Sequence, residues 1–261
     1  MPHAHGVVPF PLAPALAVLL IAFVYVRSWF SAQSTGTNTV PAWRGGSFLV
    51  GLLLIWIAVG SPLAALDHEW LTVHMIQHVL LMTLAPPLVW LGAPATVVRA
   101  RAFSRPTLCW FVAALVLVGW HVPAVFTLGM RSSAWHAVER ASFLIAGLLF
   151  WLPVVRAASC GPTEERWSII VYLFLATLPC DVLAGLLVFS EHVAYPIYFE
   201  TSRHSIASVL TDQECAGALM WTCVTIVYLA VGGILTTQWL AMPHGRASAQ
   251  LLREARTTEA A

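Results

Sequence analysis

No lysine occurs in this 261-residue sequence; all 13 basic residues are arginine. Charge of either sign is scarce, with Asp, Glu, Lys and Arg making up 10% of the chain and a formal net charge of +1. A soluble domain of this length carries about a quarter charged residues, so this chain cannot cover itself with polar surface. A net charge so close to zero also argues against a nucleic-acid partner. The five cysteines are odd in number and mostly lie inside apolar runs, which speaks against a disulfide framework. Nucleophile-elbow, phosphate-loop and dinucleotide motifs are absent, so nothing points to hydrolysis or group transfer and no enzymatic role is expected.

What the chain does contain is apolar: 59% hydrophobic residues and a mean hydropathy of +0.80. A hydrocarbon core about 30 Å thick needs roughly 20 apolar residues in a helix. Seven stretches meet or approach that length, near 11–30, 46–63, 70–91, 107–128, 134–155, 167–189 and 213–240. No basic residue precedes the first stretch and no clean small-residue cleavage site follows it, so it is expected as an uncleaved span rather than a signal peptide.

Arginine sets the expected orientation. Arg27 and Arg44, then Arg99, Arg101 and Arg105, then Arg156 and Arg166, and finally Arg246, Arg253 and Arg256 occupy alternate connections and the tail. The opposite connections hold only Arg131, Arg140 and Arg203. By the positive-inside rule the amino terminus is outside and the carboxyl tail cytoplasmic. The expected fold is therefore an all-α integral membrane protein, a bundle of about seven transmembrane helices. Residues 1–240 form a single bundle and 241–261 a cytoplasmic tail. Membrane lipid is the first partner, in a multi-pass protein of the plasma membrane (the bacterial inner membrane), with homo-oligomerisation left open.

Histidine follows the same asymmetry. His3, His5, His68, His192 and His204 fall outside, His74, His78, His121 and His136 in the outer halves of spans three, four and five, and only His244 in the cytoplasm. At about 1.5 Å per residue, His78 lies roughly 12 Å deep, with His121 and Asp181 on the order of 10 Å from the outer face. Glu139 lies about a turn into span five. Ionisable groups at such depth are costly and normally face the bundle interior at a functional site or path. On span three, His74, Met75, His78 and Met82 share an arc of about 100°. Imidazole and thioether donors together favour copper, particularly Cu(I), over hard cations. His74, His78, His121, Met82, Asp181, His136 and Glu139 are the candidate metal residues, the carboxylates serving as ligands or as acceptors that fix a histidine tautomer. Cys180, Cys215, Cys223 and Met220 are further sulfur in spans six and seven. Each candidate also has a plainer reading: interhelical hydrogen bonding for the histidines, and core filling for the methionines.

The segments "SPLAALDHEWLTVHMIQHVLLMTLAPPLVWLGAP", "GWHVPAVF", "WHAVERASFLIAGLLFWLPVV", "DVLAGLLVFSEHVAYPIYF" and "DQECAGALMW" run from Ser61 to Trp221. With them the chain resembles the CtaG family, multi-span assembly factors of caa3-type cytochrome c oxidases, and not the unrelated single-span copper chaperone of the same name. The resemblance implies a role in maturing the oxidase by handling or delivering copper, with oxidase subunits and other copper chaperones as partners. The family pattern carries over to His74, Gln77, His78, His121, His136, Glu139, Asp181, Tyr195, Pro196, Asp212 and Gln213. In one place the chain departs from it. Where the family's H-x-x-E-H calls for a second histidine this chain has Arg140, which is no ligand and is expected to pair with neighbours of Glu139 or with Asp181. Two other readings come from the residues alone: a b-type haem held by two histidines such as His78 and His121, and an ion path through Asp181. The few polar groups in the inner halves of the spans disfavour the path.

Overall fold

A computed structural model describes residues 12–34, 41–94, 97–98, 105–160, 163–201 and 205–259. His3, His5 and His204 lie outside the described residues, as does the side chain of His244. The principal helices are α1 (Leu12–Ser34), α2 (Ala42–Gly60), α3 (Leu71–Gly92), α4 (Pro106–His121), α5 (Pro123–Arg131), α6 (Ser133–Cys160), α7 (Thr163–Phe189), α8 (Ile197–Thr201) and α9 (Ile206–Glu259). A 3-10 turn, Pro62–His68, leads into α3.

The protein is an all-α multi-span membrane bundle. Among the described residues five helices, α2, α3, α6, the Trp167–Phe189 part of α7 and the Ile206–Gln238 part of α9, are long and apolar enough to cross a bilayer. The bent pair α4 and α5 raises the number to six if it forms one span. The first expected stretch coincides with α1, whose apolar part Ala15–Ser31 is shorter than the others. Leu115, Phe174, Leu186, Phe189 and Leu229 project outward from the bundle, as lipid-facing positions do where apolar tails replace water.

Burial ranks the helices. The most apolar stretches of α6 and α3 are 56% and 50% buried, against 17–28% for the corresponding stretches of α2, α7 and α9. So α3 and α6 form the centre of the bundle, and they carry His74, His78, His136 and Glu139. They approach closely at Gly147, where an added Cβ would come within 2.7 Å of the Met82 carbonyl oxygen.

Two helices depart from straight spans, each at proline. Pro86 has no N–H to give the Met82 carbonyl four residues earlier, and its ring crowds that carbonyl. The backbone answers with a π-helical segment, Val79–Leu84, and Trp151 Nε1 donates to the Met82 carbonyl at 3.1 Å. The fourth span, expected as one helix over 107–128, is broken instead. Pro123 bars Val122 from helical geometry, Val122 is extended at φ −66° and ψ 124°, and the two halves meet at 76°. Tyr195 Oη donates to the His121 carbonyl freed by the break, at 3.0 Å.

Helix α9 begins before the expected 213. Thr211, Asp212 and Gln213 look like loop residues by polarity, yet all three are helical. Their polar groups hold other parts of the molecule in place. The Asp212 carboxylate accepts from Leu71 N at 2.6 Å and Thr72 N at 3.3 Å, capping α3, whose own N-cap residue Trp70 offers no side-chain cap. A carboxylate at that end also complements the helix dipole.

Candidate metal centre

Helix α3 brings His74 and His78 onto one side, with ring centroids 4.4 Å apart. Glu139 reaches them from α6. Its Oε1 lies 3.2 Å from His74 Nε2 and 3.3 Å from His78 Nε2. All three residues are buried, and one ligand atom from each lies within 4.8 Å of the others. Two donors held about 2.0–2.1 Å from a tetrahedral ion stand about 3.3 Å apart, so the nitrogen-to-oxygen spacings already suit a shared cation.

Several polar atoms at the centre make no hydrogen bond among the described residues: His74 Nδ1, His78 Nδ1, Glu139 Oε2 and His121 Nε2. Buried polar atoms are normally satisfied, and exceptions call for an explanation such as a bound ion. Gly129 makes room for the carboxylate, because a Cβ there would stand 2.9 Å from Glu139 Oε2. Aromatic walls fix the imidazoles: Phe143 stacks on His78 at 3.8 Å and Phe126 meets His74 edge-on at 4.9 Å. Phe126 is backed in turn by Tyr195 at 4.0 Å.

His121, at the end of α4, is the next donor beyond His78. Its ring lies 5.9 Å from that of His78. Nδ1 bonds the Leu117 carbonyl oxygen at 2.7 Å, which leaves Nε2 as the free nitrogen. A second shell of this kind commonly orients a metal-binding imidazole. Met82 is buried one turn beyond His78, and both line a cavity of about 40 Å³. Thr83, Cys180, Met220 and Tyr228 share that cavity, so sulfur from three helices surrounds the space next to His78.

The remaining candidates sit elsewhere. Asp181 on α7 belongs to neither group of converging metal ligands found among the described residues; it follows Cys180 at a half-buried position. His136 faces a different carboxylate. Its Nε2 lies 3.3 Å from Asp67 Oδ2, and its ring stacks against His74 at 5.6 Å. Arg140 also pairs with Asp67 Oδ2 through Nη2, which corrects its expected pairing near Glu139 or with Asp181. The reason is geometric. Asp67 ends a 3-10 turn that tucks it against α6, fully buried, while Tyr198 Oη donates to its carbonyl at 3.0 Å.

Asp67 was missed in the sequence because an acid between two spans reads as a solvated loop residue. One signal was available: Arg140, half-buried in a mostly apolar helix, needs an acid. Gln213 supports the same end of the bundle. It accepts from Ala194 N at 2.7 Å and donates to the carbonyls of Leu187 and His192, each at 3.2 Å, tying the 190–196 connection to α9. Burial raises the pKa of the Tyr195 and Tyr198 hydroxyls in this region, which keeps both as donors.

Comparison with known proteins places these residues in context. The family model described as cytochrome c oxidase caa3 assembly factor (Caa3_CtaG) matches residues 23–242. Uncharacterized proteins of Mycobacterium bovis and Mycobacterium tuberculosis are each 24% identical over 253 aligned residues, covering 85% of this chain and 38% of the relative. One from Mycobacterium leprae is 23% identical over 256 residues. The chain thus spans well under half the length of these curated relatives. No solved structure matches significantly.

Proposed function

The chain belongs to the CtaG family of caa3-type cytochrome c oxidase assembly factors, and we propose that it serves assembly by holding copper for delivery to an oxidase. The ion, taken as Cu(I), is the cargo. His74, His78 and Glu139 grip it, with His121 Nε2 and the Met82 thioether available as replacement donors when it moves. The proposed orientation puts this centre toward the non-cytoplasmic face, following the arginine distribution. Oxidase subunits are the proposed recipients and other copper chaperones the donors. The role is that of a non-catalytic factor in the bacterial inner membrane.

One observation carries the reading: a carboxylate oxygen shared by two imidazole nitrogens at 3.2 and 3.3 Å, deep in a membrane bundle. A delivery protein must hold its ion and also release it, and three protein donors leave a coordination position open to a partner. The haem reading fits less well, since His78 Nε2 is directed to a carboxylate and not to porphyrin-sized space. Purified protein is expected to bind about one tightly held Cu(I) per chain in this centre, on a donor set of this kind. The double substitution His74→Ala with His78→Ala is expected to abolish tight binding while leaving the helical content intact. Full retention of copper by that variant contradicts the proposal.

A further inference from the structure

The group around Asp67 plays no part in the centre just described, yet it offers metal-ligating atoms in the same geometry. Asp67, His68 and His136 each present one such atom within 4.8 Å of the others. Asp67 is fully buried, and its Oδ1 accepts no hydrogen bond among the described residues. Its Oδ2 is occupied by Arg140 and His136. His68 differs from the other two, with its side chain 44% exposed and its Nε2 3.8 Å from Asp67 Oδ1. The cluster thus has a buried acceptor on one side and a solvent-accessible imidazole on the other.

It is also continuous with the deep centre. From His68 the ring centroids step 5.1 Å to His136, 5.6 Å to His74, 4.4 Å to His78 and 5.9 Å to His121. Five imidazoles therefore run from the surface to the buried end of α4, each within ring contact of the next. His136 and His74 are the joint between the two groups, their rings nearly parallel at 14°.

We propose that Asp67, His68 and His136 form a second, shallower copper station that receives the ion from outside and passes it through His136 and His74 to the deep centre. The inference rests on the deep centre being a copper site. Arg140 gives the station its character: a guanidinium on the same carboxylate repels a cation and lowers its affinity. A weak outer station above a tight inner one makes transfer run inward. No electron moves and no bond other than metal–ligand bonds changes. An ion leaving the Asp67 group gains His74 as it loses His68.

The test uses the full chain in detergent, titrated anaerobically with Cu(I) against a chromophoric chelator and followed by stopped flow. Wild type is expected to bind two ions per chain, one tight and one weak. In His68→Ala the weak ion is lost and the tight one fills about tenfold more slowly, the lower end of the loss seen when a group supporting a metal site is removed. Arg140→Gln is expected to tighten the weak ion, a gain that structural damage does not produce. One tight ion in wild type, filling at an unchanged rate in His68→Ala, overturns the outer station and leaves the deep centre standing. A weak ion lost in His68→Ala with no tight ion present overturns the deep centre, and the transfer with it. Binding of no ion overturns both.

Discussion

Glu139 poses the sharpest energetic question at the scale of single residues. Taking a carboxylate out of water costs several kcal/mol unless charge and hydrogen bonds compensate it. Here Oε1 is shared by two imidazoles while Oε2 accepts no hydrogen bond among the described residues. The proposed cation between the three side chains would supply that compensation. Glu139→Gln keeps the shape and removes the charge, so copper affinity is expected to fall about 10- to 100-fold, with stability unchanged or slightly raised. Equal losses of copper and of folded protein would show that the residue is a structural strut. Gly129→Ala provides an independent check. It pushes a methyl group toward Oε2 without altering any donor, and chelator competition should register weaker binding in a chain that still folds.

Much of this residue set was legible in the sequence, because ionisable groups in apolar helices stand out against their surroundings. His74, His78 and Glu139 were visible for that reason, and the structure brings them together. Asp181 stood out for the same reason but joins neither group of converging ligand atoms among the described residues. Depth along a helix can be read from the sequence, whereas rotation about its axis depends on packing between helices. Asp67 is the opposite case. It lies in a connection, and the 3-10 turn brings it among His136, Arg140 and Tyr198.

At the scale of elements, proline decides where the site's helices bend and therefore which polar groups are left over. Pro86 converts part of α3 to π geometry and directs the Met82 carbonyl to Trp151. Such π segments recur at functional sites. Trp151→Phe leaves that carbonyl buried and unpaired, which is expected to cost about 1–3 kcal/mol. A thermal melt in detergent should show the loss, whereas an unchanged melting temperature would mean that water or a relaxed helix satisfies the carbonyl. Pro86 is visible in the sequence, whereas the Trp151 donor that meets the freed Met82 carbonyl comes from α6 and depends on packing between the helices. The fourth span was expected as one helix over 107–128. Pro123 ends its first half at His121, and Tyr195 takes up the carbonyl that the 76° bend frees.

For the whole molecule, the two most buried spans, α3 and α6, are also the two that carry His74, His78 and Glu139, the residues of the candidate metal centre. The outer helices shield these groups from lipid, and the connections between spans brace them. Asp212 caps α3 from α9, and Gln213 holds the 190–196 connection, so helices remote in sequence keep α3 in register with α6. The family match is likewise not confined to the histidine helix but runs over residues 23–242. In the proposed function α3 and α6 jointly hold copper through two imidazoles and a carboxylate. X-ray absorption at the copper edge, on detergent-purified protein loaded with one equivalent of Cu(I), reports those ligands. Imidazole scattering from at least two histidines with light-atom neighbours is expected, and its loss in His74→Ala with His78→Ala. A spectrum of sulfur neighbours alone, unchanged by that double substitution, would contradict the proposal.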